Sequence, residues 1–123
     1  MKVLGTKFGE PWRIAVKHPR HKDEVIAMIP LANTCMVTSG DYERFFEYEG
    51  KRYHHILDPR TGYPATGAMS VTVIAQNAAF ADALATAFAV LGPVKSLEIT
   101  ESLPQVECLI VDLRGDVTQS SGL

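Results

Sequence analysis

The chain contains 123 residues, the usual length of a single domain, and we expect residues 1–123 to form one. Hydrophobic residues make up 46% of the sequence and charged residues 21%, which is ordinary for a soluble globular domain. The formal net charge of −2 weighs against nucleic acid or an anionic membrane as the main partner. No apolar segment reaches the roughly 18 to 20 residues that a transmembrane helix needs.

The first half of the chain is rich in β-branched and aromatic residues, a composition that predicts strands. We expect these strands over residues 12–16, 25–31, 33–38, 42–48 and 52–57. A turn is predicted at Ser39, Gly40 and Asp41. Glu49 and Gly50 predict a hairpin turn between the last two strands.

The second half predicts a strand over residues 69–75, followed by helices. Asn77 can cap a helix over residues 77–91, and Gly92 can end it in a left-handed conformation. Pro93 suits the first turn of a short second helix that reaches about Ser102. Strands over 106–113 and 116–119 follow, with a turn at Arg114 and Gly115. The predicted fold class is therefore α+β, a mixed or antiparallel sheet with one long and one short helix.

The two cysteines, Cys35 and Cys108, lie far apart, each within an apolar and strand-like segment. We predict two buried free thiols, although the sequence also permits a disulfide. The chain contains no CxxC pair, no zinc-type Cys/His spacing, and no GxGxxG or Walker loop.

The long helix carries one charged residue, Asp82, on an otherwise apolar sequence. Thr86 follows four positions later, so both side chains share a face. One interpretation is that Asp82 faces solvent and Thr86 bonds back to its own helix. The other is a hard-cation site, because carboxylate, hydroxyl and carbonyl oxygens suit Mg²⁺.

The segment HHILDPRTGYPATG, residues 54–67, concentrates polar and conformationally special residues in one loop. Adjacent strand residues point in opposite directions, so His54 and His55 cannot both face one site. His55 could accept or donate a proton at neutral pH, or it could be an ordinary exposed or hydrogen-bonded histidine. We expect a stiff loop in which Asp58 forms a turn, and Thr61-Gly62 offers a hydroxyl and a free amide.

A third candidate segment is TSGDYERFF, residues 38–46. Thr38 and Ser39 would present two hydroxyls, and Gly40 an amide, at the carboxyl end of a strand, where they could cradle a phosphate or a ring. An ordinary turn capped by Ser39 or Asp41 is the alternative.

Taken together and in this order, the three segments resemble the carboxyl-terminal half of the ApbE family, the FAD:protein FMN transferases. The opening LGTKFGEPWRIAVKHP is similar to the family's sequence after its central glycine-rich segment. The resemblance implies a fold that is half of a larger ApbE-type domain. It also implies a Mg²⁺-dependent reaction in which FAD is cleaved, FMN is joined to a Thr or Ser of a target flavoprotein, and AMP leaves.

The resemblance also implies roles for individual residues. His55 matches the family's catalytic histidine, and Asp82 and Thr86 match its metal ligands. Some members carry an acid before that threonine, where this chain has Ala85, so any ligand there would be the backbone oxygen of Ala85. Ile56 matches a position near the flavin, and Ser39, Gly40, Asp58 and Thr61 are the remaining candidates for cofactor binding.

The resemblance covers only one half of the family's sequence. We therefore expect FAD binding to depend on an amino-terminal half or on a second copy of the chain in a homodimer. An FAD pyrophosphate hydrolase, a non-catalytic flavin-binding module and a truncated remnant are the alternatives. Family members are often periplasmic or lipid-anchored, but no apolar segment after Gly5 predicts a signal peptide, so the compartment stays open.

Overall fold

A computed structural model of the chain describes all residues from Met1 to Leu123. It contains nine strands and two helices. In chain order they are β1 (Lys2–Val3), β2 (Trp12–Lys17), β3 (Val25–Leu31), β4 (Thr34–Gly40), β5 (Phe45–Tyr48), β6 (Lys51–His54), β7 (Ser70–Ala75), α1 (Ala78–Leu91), α2 (Pro93–Ser102), β8 (Glu107–Val111) and β9 (Val117–Gln119).

A five-stranded antiparallel sheet forms the centre of the fold, with the strand order β1-β4-β7-β8-β9. Two separate hairpins, β2–β3 and β5–β6, complete the strand content. The α+β prediction is confirmed, and every pairing is antiparallel. No helix is long and apolar enough to cross a membrane.

The central strand β7 is buried along its whole length, because hydrophobic cores lie on both faces of the sheet. Alternate residues of a strand point to opposite faces. Val71, Val73 and Ala75 therefore contribute to one core with the buried face of α1. Ile74 contributes to a second core, which also contains Val16, Ile29 and Leu31 of the β2–β3 hairpin.

Local signals in the sequence set the ends of α1. The Asn77 side chain accepts a hydrogen bond from the amide of Phe80 at 3.0 Å, as expected of an N-cap. Gly92 ends the helix with φ of 79°, and its amide donates to the carbonyl of Phe88. Its ψ of 176° lies outside the left-handed helical region, so the predicted C-cap residue is confirmed but its predicted conformation is wrong. Pro93 begins α2 as predicted.

The turn prediction succeeds in one hairpin and fails at the end of β4. Glu49 and Gly50 both have positive φ, 49° and 73°, as a two-residue hairpin turn of type I′ requires. The predicted turn at Ser39 and Gly40 is wrong, because both residues continue β4 and pair with β7. The chain turns only from Asp41 onward.

Most other predicted strands are confirmed with shifted ends. The segments 42–48 and 52–57 form strands only over Phe45–Tyr48 and Lys51–His54. The two-residue strand β1 was not predicted, because it is too short to show a periodicity. Cys35 and Cys108 are both buried and free, which confirms the thiol prediction.

Candidate functional site

The loop after β6 is closed by a short ladder of backbone hydrogen bonds. The amide of Ala65 donates to the carbonyl of Ile56 at 2.9 Å, and the amide of Asp58 donates to Tyr63 at 2.8 Å. The Gly62 amide donates to the Asp58 carbonyl at 2.8 Å, so the expectation of a free amide there is wrong. These bonds define the backbone path of the loop and fix where its side chains stand.

His55 is exposed where the β5–β6 hairpin meets this loop. Its backbone amide donates to the carbonyl of Arg44 at 3.1 Å, and its Nδ1 lies 3.3 Å from the same oxygen. Because that oxygen can only accept, the contact favours a proton on Nδ1. The lone pair then lies on Nε2, the ring nitrogen that the contact leaves uncommitted.

His54 differs from its neighbour in burial and in contacts. Its Nε2 lies 3.0 Å from the carbonyl of Ala65, a contact across the base of the loop. Its Nδ1 is buried and has no hydrogen-bond partner. His54 also lines a cavity of about 630 Å³ that His55 does not line, whereas both histidines line a recess of about 340 Å³. The two rings therefore differ in their contacts, but the prediction that only one of them could face a given site is wrong, because β6 ends at His54 and both histidines line that recess.

Asp58 is held by Arg60 rather than by either histidine. Its Oδ1 accepts from the backbone amide and Nε of Arg60, both at 2.9 Å, and its Oδ2 accepts from Nη2 at 2.7 Å. The side-chain and backbone hydrogen bonds from Arg60 lower the pKa of the Asp58 carboxyl to about 2. A carboxylate of this kind stays ionised at neutral pH and anchors the turn.

The other candidates of this loop differ in access to solvent. Ile56 is only 4% exposed and belongs to the core beneath α1, so its side chain offers little surface to a flavin. Thr61 is exposed, and its hydroxyl oxygen accepts from the amide of Tyr63 at 3.2 Å. The Thr61 hydroxyl can still donate one hydrogen bond to a ligand.

At the end of β4, Ser39 and Gly40 have different environments. Ser39 is half-buried, and its Oγ lies 3.5 Å from the Oγ1 of Thr86 on α1. Gly40 is buried against the ring of Tyr42, which an added Cβ would meet at 2.3 Å. The close packing of Tyr42 thus explains why position 40 is a glycine. Ser39 places a hydroxyl beside Thr86, one of the predicted metal residues.

Two of the three predicted metal residues, Asp82 and Thr86, are exposed on α1. The Asp82 carboxylate is exposed and forms no hydrogen bond or ion pair. The Thr86 hydroxyl donates to the carbonyl of Asp82 at 3.2 Å. This is the bond expected if Thr86 only bonds back to its own helix. Ala85 is fully buried inside the helix, where the carbonyls serve the backbone ladder, so it is the least suited of the three to hold a cation.

The oxygen donors at this position fit Mg²⁺. The Asp82 carboxylate, the Thr86 hydroxyl and the Ser39 hydroxyl are all hard oxygen ligands, and exposure leaves room for the water and phosphate oxygens that Mg²⁺ retains. A different triad, His18, His21 and Glu24, has its ligand atoms within 4.8 Å of one another. There the Nδ1 of His18 already accepts from the backbone amides of Arg20 and His21, so the His18 ring holds a turn.

The structure unites some of the predicted residues and separates others. Ser39 and Thr86 are in contact, and the loop with His55 leads through Gly67 to the carboxyl end of α1, where Gly67 lies against the Ala89 backbone. His55 and Asp82 make no contact and line no common cavity. A ligand that contacted both would have to extend from the hairpin to α1.

One ion pair, between the buried Asp41 and the partly exposed Arg20, has no signal in the sequence. Asp41 is 4% exposed and accepts two hydrogen bonds of 2.6 Å from Arg20, while Arg52 approaches it at 3.5 Å. The hydrogen bonds to Asp41 raise the pKa of Arg20 above its ordinary value. Arg20 lies on the β2–β3 turn, so the pair ties that turn to the end of β4. No local pattern predicts a contact between residues so far apart in sequence.

Comparison with known proteins identifies the family of the chain. The family model described as "ApbE family" matches residues 1–110. The chain is 40% identical to a FAD:protein FMN transferase of Treponema pallidum, across 98% of the chain and 36% of that relative. It is 44% identical to one of Haemophilus influenzae, across 92% of the chain and 34% of the relative. The chain thus spans about a third of the length of these relatives.

Solved structures give the same result. The crystal structure of the ApbE protein from Thermotoga maritima superposes with a TM-score of 0.86 at 48% identity, covering 96% of this chain and 39% of that one. The apo form of the Pseudomonas stutzeri flavinyl transferase ApbE gives 0.72 at 36% identity, covering 95% of this chain and 37% of that one. Because the family model matches residues 1–110, most of the chain, the chain belongs to the ApbE family.

Proposed function

We propose that this chain carries the catalytic histidine and the metal-binding helix of a Mg²⁺-dependent FAD:protein FMN transferase. The reaction would move FMN from FAD to a Thr or Ser hydroxyl of a target flavoprotein and release AMP. The observation that carries the proposal is the placement of His55, whose ring is exposed while Nδ1 contacts the Arg44 carbonyl. The names of the relatives support the same activity.

His55 would act as the general base. Its Nε2 lone pair takes the proton of the acceptor hydroxyl as that oxygen attacks the FMN phosphorus of FAD. The bond from this phosphorus to the bridging oxygen breaks, and the oxygen leaves with AMP. The Arg44 carbonyl holds the Nδ1 proton and stabilises the imidazolium that forms, so it orients the base.

Asp82, Thr86 and Ser39 would hold the cation with their oxygen atoms. A bound Mg²⁺ supplies charge neutralisation at the pyrophosphate, which is the main requirement of phosphoryl transfer. The unpartnered Asp82 carboxylate is the only full negative charge of this group, so it provides most of the attraction for the cation. Asp58 keeps the His55 loop rigid through Arg60 and takes no part in proton transfer.

Hydrolysis of FAD to FMN and AMP is a second candidate, favoured by the solvent exposure of His55. Water can reach the ring as easily as an acceptor hydroxyl can. A flavin-binding module without catalysis would need neither the free Nε2 of His55 nor the unpartnered carboxylate of Asp82.

The test uses two proteins. One is this chain, and the other is a hybrid enzyme, the Treponema pallidum relative with its matching third replaced by this chain. Each is incubated with FAD, Mg²⁺ and the acceptor protein of that relative. In-gel flavin fluorescence on the acceptor, with equivalent AMP, indicates transfer. Free FMN and AMP without labelled acceptor would instead indicate hydrolysis. Flavin fluorescence that changes on mixing, with FAD intact, would indicate binding alone.

A further inference from the structure

A second recess lies between the β2–β3 turn and the β5–β6 hairpin, and none of the residues proposed for transfer lines it. Its volume of about 440 Å³ lies in the range of small-molecule pockets. Its lining residues are mostly basic or aromatic: Lys17, His18, Pro19, Arg20, Lys22, Tyr42, Phe45 and Arg52. No carboxylate lines it, and we call it the basic recess.

The charges of the basic recess do not cancel. Arg20 and Arg52 are offset by their ion pairs with Asp41 and Glu47. Lys17 and Lys22 form no ion pair, which leaves two positive charges unpaired. The recess therefore matches a ligand group with two negative charges.

His18 adds an N–H donor to this wall. Its Nδ1 accepts from the amide of Arg20 at 3.0 Å and from that of His21 at 3.2 Å. Both contacts require a lone pair on Nδ1, so the neutral ring carries its proton on Nε2. An Nε2–H donor binds an anion and does not bind a metal.

Aromatic side chains form the remaining wall. The Arg52 guanidinium lies over the Phe45 ring, 4.0 Å from its centroid, and Asp41 and Glu47 fix that guanidinium in place. The ring of Tyr42 is positioned by its packing on Gly40. Rings held in this way can stack on a planar ligand at little entropic cost.

We propose that the basic recess binds a phosphate monoester that carries an aromatic ring. Such a phosphate has a charge of about −1.5 to −2 at pH 7, which the two unpaired lysines match. A phosphodiester or a single carboxylate would leave one lysine without a counter-charge. The site shares no residue with the proposed His55 and Asp82 machinery, so it does not depend on the transferase function.

AMP serves as the probe, with adenosine and inorganic phosphate as its two separate parts. Isothermal titration calorimetry on the full chain should show AMP binding more tightly than either part. Amide shifts in NMR spectra should map to Lys17, Lys22 and Phe45. Undetectable AMP binding, or equal affinity for AMP and adenosine, would overturn the proposal, as would shifts confined to the loop around His55.

Variants separate charge from stacking. Lys17→Gln/Lys22→Gln should weaken AMP binding by about tenfold to a hundredfold, the usual range for losing a hydrogen bond to a charged group. The matched control Lys2→Gln/Lys95→Gln removes the same charge from exposed residues outside the recess and should leave AMP binding unchanged. Phe45→Leu should weaken the binding of AMP and leave the binding of inorganic phosphate unchanged.

Two further results would contradict the assignment. If both double-lysine variants lost the same AMP affinity, AMP binding would depend on the net charge of the protein and not on the basic recess. AMP binding that is lost in His55→Ala, with the thermal unfolding midpoint unchanged, would assign the nucleotide to the loop. Retention of AMP binding in that variant is the expected result.

Discussion

Asp82 stands out among the acidic residues of the chain because its carboxylate has no partner on an otherwise apolar helix. We predict that FAD tightens Mg²⁺ binding to the hybrid enzyme, since the pyrophosphate supplies oxygens that the protein lacks. Asp82→Asn should abolish this coupling, measured by calorimetry with and without FAD. Glu98→Gln, which removes an exposed acid from α2, is the matched control and should preserve it. Coupling that survives Asp82→Asn would exclude α1 as the metal site.

Asp58 gives a prediction in acid. Arg60 lowers the pKa of Asp58 from an ordinary 3.8 to about 2. Because the pKa of Asp58 is lower in the folded state, the Asp58–Arg60 contact stabilises the fold above about pH 4. This stabilisation is lost as the pH falls toward 2. Carboxyl NMR of the full chain should report a pKa near 2 for Asp58, and Arg60→Met should return that pKa toward its ordinary value. An unchanged pKa in Arg60→Met would show that Arg60 does not hold the loop.

At the scale of elements, the contact of the His55 loop with α1 depends on Gly67. A Cβ at this position would meet the carbonyl oxygens of Ala89 and Val90 and the amide nitrogen of Gly92 at 2.5 to 2.8 Å. Backbone atoms cannot move aside as side chains can, so Gly67→Ala should lower the free energy of unfolding by about 1 to 3 kcal/mol. Gly40→Ala meets only the Tyr42 ring and should cost less. Urea unfolding compares the two, and equal losses would contradict the account.

Those elements that carry their own local signals could be predicted from the sequence. Asn77, Gly92 and Pro93 mark the helix ends, and Glu49-Gly50 marks a hairpin, because each acts on the backbone within a few residues. The prediction of a turn at Gly40 is wrong, because position 40 requires glycine for another reason: the Tyr42 ring packs against its Cα. The Arg20–Asp41 pair and the hydrogen bond of the Gly62 amide depend on tertiary structure, so no local pattern shows them. The roles of His55, Asp82 and Thr86 remain predictions.

The whole molecule exposes several large apolar side chains. Three of them are grouped on β5, where Phe45 is 44% exposed, Phe46 63% and Tyr48 61%. Exposed apolar surface favours association, so we predict that the chain self-associates, with a dimer as the expected species. Sedimentation velocity at increasing concentration measures this directly. A single monomeric species at the highest concentration would contradict the prediction.

The central claim is that His55 takes the proton of an acceptor hydroxyl, and intact-mass spectrometry of the acceptor protein tests it most directly. The hybrid enzyme, its His55→Ala variant and its His54→Gln variant are each incubated with FAD, Mg²⁺ and acceptor. The account predicts an added FMN mass with the unchanged hybrid and with His54→Gln, because the Nε2 of His54 already contacts the Ala65 carbonyl. It predicts none with His55→Ala, although FAD still binds. An acceptor that gains FMN at the unchanged rate with His55→Ala would contradict the account.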